Sequence, residues 1–367
     1  DSRVAQYVGR EAMDVRRPEK ETLPKVFYKG AHQATLDPLA ARRPDGGLFM
    51  WGEQKRDADT VNSGNPAFQN TSAAALLAYD VPHSLPWDWR VSLYTWTKGV
   101  AAGAYLVAAL LVLLGFLGAR GTPDALGASP FAGFLASTLW LWVAPVLSGV
   151  FLAITGALLI WDLEHPERFY LIFTRPQWRS WLVKGAFIIA GYSLVLGLHF
   201  AASWLGRERE QLWLIAAGLP LGVLTAVYTA YLFAQAKARD LWQNPLLPPH
   251  LLVQSLLLGA AALLPFAVWL EPNAVAPLGW VLGGASLVHL LMVWGEVTLT
   301  HPTAHARLAV WEMTRGRYAA FFWAGAALTL LAVSAPWLGV AAVPPALVGL
   351  ALHEHAYVQS GQAVPLA

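Results

Sequence analysis

The sequence predicts an all-α integral membrane protein: eight transmembrane helices in two four-helix bundles, preceded by an extended extramembrane N-terminal arm. Of its 367 residues, 56% are hydrophobic and only 13% are charged, and the mean hydropathy is +0.45. An average soluble domain carries about 25% charged residues, so this composition argues against a water-soluble enzyme. Residues 1–90 hold 12 of the 25 Lys and Arg residues and 12 of the 23 Asp and Glu residues. A polar segment therefore precedes an apolar body.

The N-terminal arm is expected to span residues 1–86. This stretch has no apolar periodicity sustained over a dozen residues, so it is not expected to form its own core. Its aromatic residues Phe27, Tyr28, Phe49 and Trp51 favour an arm that lies on another subunit over a disordered tail, which is the alternative. Residues 1–25 contain no apolar stretch of the kind found in signal peptides, so no export signal is expected there.

The membrane body is expected to begin at residue 87. A bilayer core about 30 Å thick needs roughly 20 apolar residues per helix. The stretches that meet this length are residues 91–118, 132–161, 181–204, 211–235, 250–270, 277–299, 319–337 and 339–359. Proline and glycine between these stretches indicate helix ends. We expect the first four helices to form one unit, residues 87–240, and the last four a second, residues 241–367.

An even number of spans puts both ends of the body on one side, called here the N-terminal face; the opposite side is the far face. Loops of the N-terminal face hold eight Lys and Arg residues, whereas the far face has Arg120, Arg207 and Arg209. The positive-inside rule then predicts a multi-pass protein of the inner cell membrane with its N-terminal face in the cytoplasm. A charged partner docked on that face would leave the same charge pattern.

Several kinds of site are not expected in this chain. Without cysteine it can form neither a disulfide nor a thiolate-bound iron–sulfur cluster. The net charge of +2 and the lack of a basic stripe argue against nucleic acid. Haem held by two histidines needs them at similar depth on facing helices; His199 is expected far from His289, and His250 is expected at the N-terminal face, so no such pair is expected. We therefore expect no metal in this chain.

Ionisable residues inside the membrane are costly, so each is a candidate for function. The candidates predicted in the half next to the N-terminal face are Tyr94, Lys98, Asp162, His289, Glu296, His353, Glu354 and His355. Only His199 is predicted in the other half. Ionisable residues confined to one half of the membrane suit a pocket for an amphiphilic redox molecule whose polar head lies near one face. A transporter, in contrast, should show polar groups at all depths.

The local patterns leave structural readings open beside functional ones. Lys98 is predicted ~12 Å deep, which is far for a lysine that only reaches back to the interface. His289 and Glu296 are two helical turns apart on one stripe and could form a structural pair. The small residues at positions 99 and 101–103 allow a neighbouring helix or a flat ligand to approach closely. Asp162 and Arg168 flank a proline-broken helix end and are expected to form a carboxylate–guanidinium pair that clips the loop or binds a polar head group.

Three motifs carry a resemblance to a known family. The first is Trp87-Asp88-Trp89 with the run from Tyr94 to Ala104, the second is the run from Asp162 to Phe169, and the third is the run from Gly361 to Leu366. Over residues 87–367 the chain resembles the NrfD/PsrC-type membrane subunit of polysulfide reductase-like respiratory oxidoreductases. That resemblance implies a subunit that anchors a molybdopterin catalytic subunit and a four-cluster ferredoxin-like iron–sulfur subunit to the membrane.

The resemblance also implies electron exchange with quinone, either menaquinone or ubiquinone, and no haem or iron–sulfur cluster in this chain. It puts Tyr94 at the family's quinone-pocket position and Asp162 and Arg168 at its acidic and basic signature. On this reading Tyr94 hydrogen-bonds a quinone carbonyl, and Lys98 and Arg168 stabilise negative charge on the reduced oxygens. Asp162 and Glu296 are the candidate proton donors, and the expected proton path is formed by His289, Glu296 and Glu354.

Residues 26–38 resemble the C-terminal tail of the iron–sulfur partner, which implies a fusion, or a processed fusion, whose cluster-bearing part lies upstream. Two other functions stay open. A proton or ion transporter driven by the redox partner would use Lys98, His289 and Glu296 as relay groups, and it requires a continuous polar path to the far face. A pure membrane anchor would have no quinone site.

Overall fold

The computed structural model describes residues 87–121, 136–207, 210–236, 239–301 and 303–364, and these residues form helices and loops without strands. The predicted N-terminal arm lies outside the described residues. The α-helices in chain order are α1 Trp89–Gly121, α2 Ala144–Trp161, α3 Leu171–Thr174, α4 Trp181–Trp204, α5 Gln211–Ala234, α6 Leu247–Leu270, α7 Pro272–Thr298, α8 Ala304–Thr314, α9 Ala319–Ala332, α10 Ala335–Leu338 and α11 Val343–Ala363.

The all-α membrane fold is confirmed. Seven helical stretches in the described part of the chain are long and apolar enough to cross a bilayer, and α9 is a shorter apolar helix. All eight predicted spans therefore fall on apolar helices. The second span starts with a π-helical turn at Leu139–Val143 that runs into α2. The predicted seventh span is too long at its end, since α9 stops at Ala332 and a separate short helix follows.

In chain order the long helices are described as two groups of four, α1, α2, α4 and α5 and then α6, α7, α9 and α11, although α1 and α5 also contact α6, and α1 contacts α11. In the first, α1 contacts α2 and α5, and α4 contacts α2 and α5; in the second, α6 contacts α7 and α11, and α9 contacts α7 and α11. The short helix α8 was not predicted, because its mixed polar and apolar residues do not resemble a membrane span. It begins after Thr303, whose side chain accepts a hydrogen bond from the Ala306 amide and so caps the helix. The domain boundary after residue 240 stays a prediction.

Helices α1 and α6 join the two groups through glycine. A Cβ added to Gly103 would lie 1.7 Å from the Ser255 carbonyl oxygen, and one added to Gly259 would lie 2.1 Å from the Gly103 carbonyl carbon. The two backbones are thus in direct contact, as small residues in membrane helices permit. The close helix approach that the small residues of the first span predicted is confirmed.

Gly361 and Gln362, near the end of α11, hold the start of α1 in place. The Gln362 side chain accepts a hydrogen bond from the Trp87 amide at 3.1 Å and donates one to the Trp87 carbonyl. Gly361 leaves room for the Trp242 ring, because a Cβ there would lie 2.1 Å from the indole nitrogen. Trp242 in turn stacks on Trp87 with 4.6 Å between ring centroids. Both ends of the described membrane body therefore meet at the N-terminal face.

Candidate functional site

Lys98 is held inside the first helix group. Its side chain is almost completely buried, and its ammonium donates hydrogen bonds to the Ala226 carbonyl at 2.8 Å and to the Thr229 hydroxyl at 2.6 Å. The same ammonium lies 5.0 Å from the centroid of the Tyr228 ring. A buried cation needs such partners to replace water. Lys98 therefore does not reach back to the membrane surface, and its positive charge is directed at α5.

An acid and a tyrosine complete this polar group. The Glu354 carboxyl on α11 lies beside Lys98 and beside the side chains of Thr95 and Gln254. Tyr94, one turn before Lys98 on α1, is buried and contacts Thr229. We call the residues Tyr94, Lys98, Tyr228, Thr229 and Glu354 the Lys98 cluster. Three of the sequence-predicted site residues, namely Tyr94, Lys98 and Glu354, thus come together.

An apolar groove leads to this cluster from the side of α2 and α4. It has a volume of about 230 Å³ and is lined by side chains such as Leu159, Leu163, Phe173 and Ala186, with Tyr228 as its polar lining residue. The Tyr228 hydroxyl is buried and has no hydrogen-bond partner among the described residues. Tyr228 therefore lies between the groove, called here the α2–α4 groove, and the Lys98 ammonium.

Gly185 makes room for this tyrosine. A Cβ at position 185 would lie 2.5 Å from the Tyr228 ring, so any larger residue on α4 would push the ring away. Tyr228 lines the α2–α4 groove, while its hydroxyl is buried beside it.

Asp162 pairs with a different arginine from the one expected. Its carboxylate lies 3.5 Å from the Arg90 side chain, and Arg90 also donates to the Trp161 carbonyl at 2.7 Å. Arg168 is largely exposed and lies 3.8 Å from Glu167. The expected Asp162–Arg168 pair is therefore wrong, because the chain turns away after Pro166 into a short 3₁₀ helix. Burial raises the pKa of the Asp162 carboxyl, and the Arg90 guanidinium opposes that rise.

Glu296 lies in the second helix group, at a different cavity. It accepts a hydrogen bond from the Asn244 amide, and its other carboxylate oxygen is buried without a partner from the described residues. The residue lines a cleft of about 460 Å³ that opens among the α7–α8 connection and the segment before α6. Tyr357 lies close to both Glu296 and Glu354. Both acids of the predicted proton path therefore lie near one tyrosine.

His289 belongs to a histidine cluster and not to a pair with Glu296. Its Nδ1 lies 2.8 Å from Nε2 of His250, and its ring centroid lies 4.7 Å from that of His353. The sequence-based expectation that His250 and His289 form no pair is therefore wrong. Helix α6 begins at Leu247 and not at the predicted residue 250, so His250 lies about one turn further inside the helix than expected and reaches His289.

The far half of the membrane is more polar than the sequence indicated. His199 is buried there, with Nδ1 3.4 Å from the Tyr105 hydroxyl and its ring 4.4 Å from that of Trp140. The Trp140 indole donates to Gln211 at 2.7 Å, and the Gln211 amide donates to the Ser203 hydroxyl at 2.9 Å. Within the described residues, neutral polar side chains thus continue from His199 towards the far face.

Sequence reasoning missed three residues that organise these sites. Gln254 is a polar residue in the middle of an apolar stretch, and this position in a predicted membrane span is the signal that could have identified it. Arg90 lies in the aromatic start of α1, and no sequence pattern links it to Asp162 at the end of α2. Asn244 lies in a turn, where its type is common and indicates nothing beyond the turn itself.

Comparisons with known proteins agree with the resemblance that the motifs carry. The family model described as "Polysulphide reductase, NrfD" matches residues 80–345. Protein NrfD of Escherichia coli (strain K12) is 26% identical over 307 residues, which cover 72% of this chain and 88% of that protein. A Halobacterium salinarum protein, named as a membrane subunit of dimethyl sulfoxide reductase, is 23% identical over 303 residues, covering 71% of this chain and 66% of that protein.

Proposed function

This chain belongs to the NrfD polysulphide reductase family, and we propose that it exchanges electrons between a redox subunit docked on its N-terminal face and quinone in the membrane. Its place as a multi-span membrane subunit of an oxidoreductase-type complex follows from the family and the apolar helices. The observation that carries the proposal is the α2–α4 groove, which Tyr228 lines; the Tyr228 hydroxyl has no partner in the described chain, and the Lys98 ammonium lies behind the Tyr228 ring.

An amphiphilic quinone fits this arrangement. The groove walls are aliphatic and aromatic side chains, which suit an apolar ring and tail, and Tyr228 in the wall is a donor that can serve a carbonyl oxygen. A buried hydroxyl without a partner beside an apolar groove is costly unless a ligand completes its hydrogen bonding. Quinone, either menaquinone or ubiquinone, satisfies both requirements, while a fully water-soluble substrate would satisfy only one.

The side chains around the groove can carry out distinct tasks. Reduction of a quinone to a quinol takes two electrons from the docked subunit and two protons. Tyr228, with Tyr94 behind it, donates hydrogen bonds towards the carbonyl end, and the positive charge of Lys98 stabilises negative charge that develops there. Asp162, whose raised pKa keeps it protonated to a higher pH, is the proton donor nearest the aqueous side.

The other residues of the predicted proton path remain in the proposal, but they lie in the second helix group and not beside the α2–α4 groove. His289, Glu296 and Glu354 supply the second helix group with a route from the cleft at the N-terminal face, by way of Tyr357. Arg168, at the surface, is better suited to guiding an anionic head group or the docked subunit than to a direct contact inside the groove.

The partners follow from the family. Its membrane subunits associate with catalytic reductase subunits. For this chain we propose a four-cluster iron–sulfur subunit on the N-terminal face and a molybdopterin subunit beyond it. The basic loops there would be cytoplasmic in the inner membrane by the positive-inside rule, or would meet an acidic docking surface.

Filling the groove tests this function. Ala186→Phe, on the α4 wall, should slow oxidation of the pre-reduced complex by a soluble quinone analogue roughly tenfold, because the added ring occupies the ligand's space. Oxidation of the same complex by ferricyanide should not change. Ala201→Phe, at the far end of α4 and exposed, is the matched control. Unchanged quinone oxidation, or equal slowing with both oxidants, would overturn the groove as the quinone site and favour a pure anchor.

Proton translocation is a second candidate function, favoured by the polar contacts in the far half. The Tyr192 hydroxyl donates to the Ala101 carbonyl at 3.0 Å, one turn beyond Lys98, and the contacts from Tyr105 through His199 continue towards the far face. Polar groups at all depths are what a redox-driven transporter requires.

Replacing the far-half histidine distinguishes this second function. In the complex reconstituted into vesicles, His199→Ala should lower the number of protons moved per electron by roughly half or more, while quinone reduction continues. A pH-sensitive dye inside the vesicles gives the measurement. Ser193→Ala, exposed on the same helix, serves as control. Equal proton-to-electron ratios in all three proteins would exclude translocation along this path.

A further inference from the structure

The histidines at positions 250, 289 and 353 form a compact cluster that the proposed quinone chemistry does not use as a unit. They come from three helices, α6, α7 and α11, and all three side chains are buried. One ring nitrogen of each lies within 4.8 Å of the other two. We call these residues the histidine trio.

The spacing of these nitrogens is close to that of ligands on one metal ion. With Zn–N distances of about 2.1 Å, two ligands of a tetrahedral ion lie about 3.4 Å apart. The separations in the histidine trio begin at 2.8 Å, between His250 Nε2 and His289 Nδ1, and reach at most 4.8 Å, so they bracket that value. Rotation of the rings about their side-chain bonds is the movement that would bring all three nitrogens to one ion. The 2.8 Å contact is a hydrogen bond, whose proton the ion would replace.

The Gln254 side-chain oxygen, on the same face of α6 as His250, is a further polar atom beside the histidine trio. Gln254 follows His250 by one turn of α6 and so shares its helix face. Its side chain is 4% exposed, and its Oε1 is buried without a hydrogen-bond partner among the residues that the structure describes. Such an oxygen can accept a hydrogen bond from water in a fourth coordination position. The Glu354 carboxyl beside Gln254 offsets part of the ion's positive charge.

We propose that the histidine trio binds a divalent first-row transition-metal ion of the Zn²⁺ class, with three imidazole ligands and one position left for water. Imidazole suits Zn²⁺, Cu²⁺ and Ni²⁺. The three ligands include no cysteine thiolate, which softer ions prefer, and no carboxylate, which harder ions prefer. The absence of cysteine led us to expect no metal in this chain, but three imidazoles need no thiolate. Metal binding by the trio does not require quinone to bind in the α2–α4 groove, although His289 also belongs to the proposed proton route.

Metal analysis of the purified complex tests this proposal. After chelator treatment and dialysis against Co²⁺, the wild-type chain should show visible absorption bands of a tetrahedral ion, at about one ion per chain. His289→Gln should lose the bands, and binding of Zn²⁺ should weaken at least about tenfold, because loss of a residue that only supports a ligand already has an effect of that size. His250→Gln and His353→Gln should do the same independently, so that misfolding of one variant does not decide the result.

His199→Gln is the matched control, since this histidine is also buried but lies in the far half. It should keep the Co²⁺ spectrum of the wild type. Iron–sulfur clusters of a partner contribute equally to every sample and cancel in the difference between variants. If wild type and His289→Gln bind the same amount of Co²⁺, or if wild type shows only octahedral Co²⁺, the trio is a hydrogen-bonded proton relay and the metal site is excluded.

Discussion

Replacing Lys98 with methionine is expected to slow oxidation of the pre-reduced complex by a quinone analogue about 100-fold, the scale of losing one charge-stabilising donor in a buried site. Methionine keeps the length of the side chain but removes the cation that faces the Tyr228 ring and the two hydrogen bonds to α5. It also leaves Glu354 buried without its positive neighbour. Both changes weaken stabilisation of negative charge at the end of the α2–α4 groove.

The measurement compares two oxidants on one preparation. Ferricyanide takes electrons at the surface of the docked subunits and should oxidise the Lys98→Met complex as fast as the wild type, whereas the quinone analogue should not. Lys184→Met is the matched control, since its ammonium lies 4.4 Å from the Trp181 ring at the start of α4 and outside the Lys98 cluster. Equal loss with both oxidants would mean that Lys98 holds the assembly together, and no loss with either would remove it from the site.

The membrane fold could be predicted from the sequence because its cause is local. Each span needs about 20 apolar residues in succession, and each break is marked by proline, glycine or charge. The exceptions have local causes too. Helix α9 ends early because Ser334 and Pro336 begin a new short helix, and Gly339, with φ +56°, turns the chain back. The amphipathic α8 carries no membrane signal, so hydropathy could not find it.

The site was predicted only in part, because contacts between helices depend on rotation and depth. The depth argument grouped Tyr94, Lys98 and Glu354, and these residues do lie on helices that meet at the centre. It failed for Asp162 and for His289, whose partners Arg90 and His250 sit at the ends of other helices. A helix end can fall several residues from its predicted place, which shifts a partner by a full turn. Whether the assembled residues act in catalysis stays a prediction.

The contact between α1 and α6 explains why one glycine should matter more than others. Helix α1 carries Lys98, and α6 carries Gln254 and His250, so their mutual position sets the geometry of both the Lys98 cluster and the histidine trio. The backbones touch at Gly103 and Gly259, where any side chain would strike main-chain atoms that cannot rotate away. Overpacking of this kind typically costs about 1–3 kcal/mol and more when backbone must move, against a total stability of about 5–15 kcal/mol.

Gly103→Leu is therefore expected to separate the two helix groups and to leave little folded protein. We expect the yield of assembled complex to fall at least about fivefold, and the remaining protein to unfold at least about 10 °C lower, as a loss of several kcal/mol implies. Size-exclusion chromatography in detergent and a thermal melt give these values. Gly197→Leu is the matched control, because a Cβ at that position of α4 meets nothing within 4 Å. Gly103→Ala should fall between the two, since one methyl group forces a smaller shift; if Gly103→Leu matched Gly197→Leu, the close contact between α1 and α6 would be wrong.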